Sequence, residues 1–107
     1  MPLDRLLVQT GSGEALLRHE QIEYFEASRN YVAIHSAGKE YLIRDTISAM
    51  EERLPATTFA RCHRSYLVNL DKVEEIKNVD GSWKIRLSSG TTVPLSRGYR
   101  DSFRKHL

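Results

Sequence analysis

Short runs of four to seven residues with strand-like composition recur along this chain, separated by turn signals. That rhythm points to a mainly β, α+β fold built from small antiparallel sheets. Leu3 to Val8 and Glu14 to Arg18 flank Gly11-Ser12-Gly13, whose glycines are expected to supply the positive φ of a tight hairpin connection. A phosphate-binding loop is the rival reading of those glycines. The chain continues as Glu14-Ala15-Leu16, without the third glycine of a dinucleotide fingerprint or the Gly-Lys-Ser/Thr of a P-loop, and that excludes it.

Ile22 to Phe25, Tyr31 to His35 and Tyr41 to Arg44 follow as a meander, the last two strands joined through Ser36-Ala37-Gly38-Lys39. Asp45 is placed to cap a mid-chain helix running to Leu54, with Ile47, Met50 and Leu54 on one face and Pro55 ending it. Thr58 to Cys62, Leu67 to Leu70, Val73 to Ile76, Trp83 to Ser88 and Thr91 to Leu95 read as further strands, with turns at Asp80-Gly81 and Ser89-Gly90. Ser96 is placed to cap a short C-terminal helix on which Tyr99 and Phe103 lie four apart and Arg100 and Arg104 take another face.

At 107 residues the chain fits a single domain over 1–107 with one modest core. Tyr24, Phe25, Val32, Phe59, Leu67, Val68, Val73, Ile76, Trp83 and Leu95 are its expected members. No apolar run approaches the roughly 18 residues that span a bilayer, so no membrane partner is expected. Asp4 and Arg5 interrupt any apolar leader, which makes the cytoplasm the expected location. Cys62 is the sole cysteine, so it forms no internal disulfide and is read as a small buried packing residue.

The net charge of +2 is too mild to announce a partner, but its distribution is uneven. Glu14 to Glu26 carries a balance of −3, whereas Arg61 to Lys72 carries +2 and Arg97 to Lys105 carries +3. The two basic segments would form one positive face if the fold brought them together.

The densest polar cluster is Arg61-Cys62-His63-Arg64-Ser65, set between apolar strands. Burying those charges unpaired is costly, so part of the run must face solvent or a ligand. A hydrolase would need Ser65 as nucleophile and His63 as base. No glycine elbow flanks the serine and Asp71 is the sole nearby carboxylate, so no catalytic residue is assigned and the chain is not read as an enzyme. His19, His35 and His106 show no ligand spacing with Cys62 and His63, so neither a metal nor a cofactor is assigned. As a nucleic-acid contact, Arg64 on a loop tip suits the N7 and O6 of guanine, with Ser65 and His63 donating to phosphate oxygens. Arg97, at the start of the basic terminal helix, is a second candidate.

Taken together, Phe59-Ala60-Arg61-Cys62-His63-Arg64-Ser65-Tyr66-Leu67-Val68-Asn69-Leu70, then Val73, Ile76, Gly90, Pro94-Leu95-Ser96-Arg97 and Tyr99, resemble the LytTR family of bacterial DNA-binding domains. Ile22-Glu23-Tyr24-Phe25-Glu26-Ala27 and Asn30-Tyr31-Val32 resemble its first block, so the likeness covers nearly the whole chain.

The resemblance implies a mostly β domain that reads double-stranded DNA through loops in successive major grooves, as the output domain of a bacterial two-component response regulator. It implies base contacts from Asn30 (or its neighbour Arg29), Arg64 and Arg97. Arg29, His63, Ser65, Ser96 and Arg100 are then assigned to phosphates. Asn30 also has a reading as a turn residue with unusual φ, and His63 as a partner of a neighbouring backbone carbonyl. Two copies on repeated sites are expected, with a weak dimer or none free of DNA, and with bending of the duplex. The alternative is a protein-interaction module whose β edges and basic face dock an acidic partner.

Overall fold

The computed structural model describes residues 5–107. In chain order its elements are β1 (Arg5–Thr10), β2 (Gly13–Arg18), β3 (Ile22–Ser28), β4 (Tyr31–Ser36), β5 (Lys39–Ile43), α1 (Ile47–Arg53), β6 (Phe59–His63), β7 (Tyr66–Asn69), β8 (Val73–Val79), β9 (Ser82–Leu87), β10 (Thr92–Pro94) and α2 (Arg97–Arg104). Single turns of 3-10 helix at His19–Gln21 and Leu70–Lys72 lead into β3 and β8. Every strand pairing is antiparallel, in a five-stranded sheet of order β5-β4-β3-β7-β6, a three-stranded sheet β10-β9-β8 and the hairpin β1-β2. The mainly β architecture and the meander β3-β4-β5 are as the sequence predicts.

The core is not one cluster but two. Successive residues of a strand point to opposite faces, and the five-stranded sheet is apolar on both. Phe25, Phe59 and Leu67 join Leu6, Val8, Leu17 and α1's Ile47 and Met50 on one face. Ala60, Cys62 and Val68 join Ile85, Leu87, Val93, Leu95 and Phe103 on the other. The central sheet is thus covered by β1-β2 and α1 on one side and by the three-stranded sheet and α2 on the other. Trp83, Tyr24, Val73 and Ile76, expected in the core, are only half-buried, packed against the rim of the second cluster.

Three local expectations are corrected. Leu3, where the first strand was predicted to begin, lies outside the described residues, and β1 extends instead to Thr10, so that Gly11-Ser12 forms a two-residue turn. Neither Gly11 nor Gly13 adopts a positive φ. The left-handed residues lie in the other hairpins, at Ala37-Gly38 (φ 51 and 79), Asp80-Gly81 (φ 53 and 87), Arg29 (φ 57) and Gly90 (φ 94). Positive φ at a two-residue turn matches the right-handed twist of the flanking strands.

At α1, the cap is Thr46 and not Asp45: Thr46 Oγ1 accepts from the N–H of Ala49 at 3.1 Å, while Asp45 accepts from the N–H of Thr46 at 2.8 Å. At α2, Ser96 holds the capping position, but its side chain makes no capping hydrogen bond.

Candidate nucleic-acid interface

Strand register gathers three segments at one end of the five-stranded sheet. β3 runs toward Ser28, and its Glu26 pairs with Tyr66 at the start of β7. The N–H of Ala27 donates to the carbonyl of Ser65 at 2.8 Å. The β3–β4 turn, Arg29-Asn30, therefore lies beside the β6–β7 turn, Arg64-Ser65. β6 finishes at this same end, where Cys62 accepts a hydrogen bond from the N–H of Ser96 at 2.9 Å and holds the start of α2. Asn30, Arg64 and Arg97 are thus brought to one sheet end, all three exposed. Lys72, counted with the basic segment from Arg61, sits at the other end with Glu20 and Glu23.

Each segment is shaped locally. β3 does not end at Phe25: Glu26 pairs with both β4 and β7, and Ala27 and Ser28 continue the ladder to β4, which shortens the connection to two residues. The left-handed φ of that turn falls on Arg29 and not on Asn30, so unusual backbone does not account for the asparagine. A non-glycine residue in this region carries a steric cost.

In the second turn, His63 Nδ1 accepts the backbone N–H of Ser65 at 3.0 Å. The imidazole therefore serves a backbone N–H, not the carbonyl considered from sequence. With Nδ1 accepting, the ring proton resides on Nε2, where it remains available as a donor. The same contact occupies the nitrogen with Ser65's amide and not with its hydroxyl.

Arg61 shapes this turn from within the strand, a role that sequence reading missed. Its Nε donates to the carbonyl of His63 at 2.9 Å, a second guanidinium nitrogen donates to the carbonyl of Arg64, and a third pairs with Glu51 of α1 at 2.8 Å. The guanidinium also lies 5.5 Å from the ring centroid of Tyr99 in α2. One side chain therefore ties the turn to both helices. The available signal was its place in β6: neighbouring Ala60 and Cys62 are buried, and a strand interior leaves an arginine there few routes to water.

Beyond the second turn, His63, Ser96, Arg97 and Arg100 line a cleft of about 470 Å³ against the β8–β9 turn, which contributes Asn78, Gly81, Ser82 and Trp83. Arg100 stacks 4.3 Å above the Trp83 ring. Stacking on an aromatic face does not consume the guanidinium N–H donors.

Cys62 is fully buried, and burial pushes its thiol up to about 12. Among the described residues no group of His, Cys, Asp and Glu is placed to hold a metal ion, and no helix is long and apolar enough to cross a membrane.

Arginine, asparagine, histidine and serine sit on turns at one sheet end, with a helix N-terminus beside them, and these are side chains able to hydrogen-bond phosphates and base edges. The chain belongs to the LytTr DNA-binding domain family, whose model matches residues 14–107. Among curated relatives it is similar to the sensory transduction protein LytT of Enterococcus faecalis, 30% identical over 86% of this chain and 38% of that protein. The transcriptional regulatory protein BtsR of Escherichia coli is 42% identical over 70% of this chain and 30% of its own length. The chain therefore spans well under half of these relatives. A LytTr DNA-binding domain of a Bacillus cereus response regulator has the same fold, with a TM-score of 0.87, 24% identity and coverage of 97% of this chain and 96% of that one.

Proposed function

We propose that the chain acts as one sequence-specific double-stranded DNA-binding domain of a cytoplasmic transcription regulator, reading bases with Asn30, Arg64 and Arg97. The observation that carries this reading is the convergence of two turns and the start of α2 on one sheet end, each offering side chains that suit base edges. Asparagine matches adenine and arginine matches guanine, with about 1–3 kcal/mol of discrimination per good bidentate pair. Arg29, His63, Ser65, Ser96 and Arg100 serve phosphates. His63 does so through Nε2 and Arg100 from its seat on Trp83, while phosphate contacts fix orientation and carry no sequence information.

At about 4.8 Å per strand, the row from the β3–β4 turn past β6 to α2 is roughly 20–25 Å wide. Successive major grooves on one face lie about 34 Å apart. Engaging both from this row requires the duplex to bend toward the protein, at a cost of order 1–6 kcal/mol that added contacts offset. Three base-reading side chains give limited specificity in a genome, so two copies on repeated sites follow.

Selection of random duplexes on the purified domain at fixed salt tests this. Recovery of a repeated motif that relaxes at one position in Arg64→Ala, and at another in Arg97→Ala, is expected. Arg100→Ala should weaken every duplex alike. A folded domain that enriches no motif would overturn base reading.

A further inference from the structure

The DNA-facing end of the sheet does not stop at β4. β5 is the outer strand, and its Ile43 pairs with Val32, so Arg44 emerges beside Tyr31, immediately lateral to the Arg29-Asn30 turn. Neither sequence motif nor charge run singled it out. We propose that Arg44, seated on Tyr31, is a further phosphate-binding residue that widens this interface by one strand; the inference rests on the DNA-binding reading above.

Three observations carry it. Arg44 is exposed and its guanidinium lies 5.9 Å from the Tyr31 ring centroid, an aromatic that is itself 42% exposed. Stacking on an aromatic face orients a guanidinium without consuming its N–H donors. The adjacent carboxylate is also taken. Asp45 accepts from the N–H of Thr46 at 2.8 Å and pairs with Arg53 at 3.2 Å, so the nearest negative charge in sequence does not neutralise Arg44.

Finally, Arg53, Arg61 and Arg86 each face a carboxylate, from Asp45, Glu51 and the Glu74-Glu75 pair. Arg29, Arg44, Arg64 and Arg97, all exposed at this sheet end, have no carboxylate partner among the described residues, as is also true of Arg18 and Arg104 elsewhere. The resulting row of unneutralised cations runs from β5 to α2 and tracks the width that a curved backbone would present.

The chemistry fixes how the test must read. A phosphate contact releases condensed counterions, so removing one lowers the magnitude of the slope of log K against log salt by about 0.9 and affects all duplexes equally. Binding of the selected duplex and of a scrambled one is measured over a salt series for the unsubstituted chain and for Arg44→Ala, Arg44→Lys and Tyr31→Leu, with thermal melting to confirm folding. Arg44→Ala is expected to lower the slope by about 0.9 on both duplexes, and Arg44→Lys to retain it. Tyr31→Leu is expected to keep the slope while weakening both complexes.

An unchanged slope in folded Arg44→Ala overturns the proposal, as does a loss confined to the selected duplex, which would make Arg44 a base contact. Arg64→Ala in the same series separates the two levels. If it relaxes sequence preference while Arg44→Ala changes nothing, only the present inference falls. If the unsubstituted chain binds neither duplex, the DNA-binding reading falls with it.

Discussion

The Nε of Arg61 donates to the backbone carbonyl of His63 at 2.9 Å, so the strand that leads into the β6–β7 turn also braces it. With a side chain only 11% exposed and a 2.8 Å pairing to Glu51, this guanidinium is a fixed part of the scaffold and not a mobile surface cation. Lysine keeps the charge but cannot span two carbonyls and a carboxylate in one plane. Arg61→Lys is therefore expected to lower stability by about 1.5–3 kcal/mol in denaturant unfolding. In the folded fraction it should blur selection at the position read by Arg64. Unaltered selection would show that the turn holds its shape without the brace.

Arg29 holds a left-handed backbone, with φ 57, at a site proposed to meet phosphate. Glycine carries no such steric cost but loses more freedom on folding. Arg29→Gly is expected to leave the melting temperature unchanged or raise it, while DNA affinity falls at all sequences. A marked drop in stability would mean that the arginine side chain contributes to the fold itself.

Asn69 is fully buried in β7, where its Nδ2 donates to the carbonyls of His19 at 3.1 Å and Ile22 at 2.8 Å and its Oδ1 accepts from the N–H of Asp71 at 2.9 Å. The asparagine of the valine-asparagine pair is thus a structural pin far from the interface. Replacing it by leucine strands two carbonyls and an amide, each at about 1–3 kcal/mol. Asn69→Leu is expected to destabilise severely in thermal unfolding, and a mild effect would show that water replaces the amide.

Burial pushes the Cys62 thiol up to about 12 from an ordinary value of 9.0, and its Sγ donates to the carbonyl of Tyr66 at 3.9 Å. The thiolate is the reactive form. The native protein at neutral pH should therefore resist a thiol reagent that labels it rapidly in denaturant. Fast labelling of the folded chain would place the thiol at the surface.

Tyr66 donates to Glu26 Oε2 at 2.9 Å; burial, and then that carboxylate, push the phenol up to about 12 from 10.0. A raised folded-state value favours the neutral phenol in the native state. Its contribution is therefore complete below pH 10 and lost as pH climbs toward 12. Urea unfolding across that window should show stability declining with pH, and the decline should be smaller in Tyr66→Phe.

Strand rhythm, turn dipeptides and the apolar alternation of Ile85 and Leu87 were legible in the chain because they depend on local backbone chemistry with a period of two. Asp80-Gly81 and Ala37-Gly38 turn where their residues predict. The Arg61–Ser65 run was legible as a partly exposed turn because its charge density resists burial. Boundaries were less so: Phe25 looked like a strand end because Glu26 and Ala27 are not strand formers, yet pairing with β7 as far as Glu26 and with β4 as far as Ser28 carries β3 onward.

What the sequence by itself determined was the class of fold, the family and the positions of most turns. Only the tertiary structure decided that the sheet is apolar on both faces, that Arg61 is spent on backbone carbonyls while Arg64 is left exposed, and that Arg44 joins the row. Those outcomes depend on which strands become neighbours and in what register. Register is set by long-range burial across the whole sheet, so no local stretch of the chain encodes it alone.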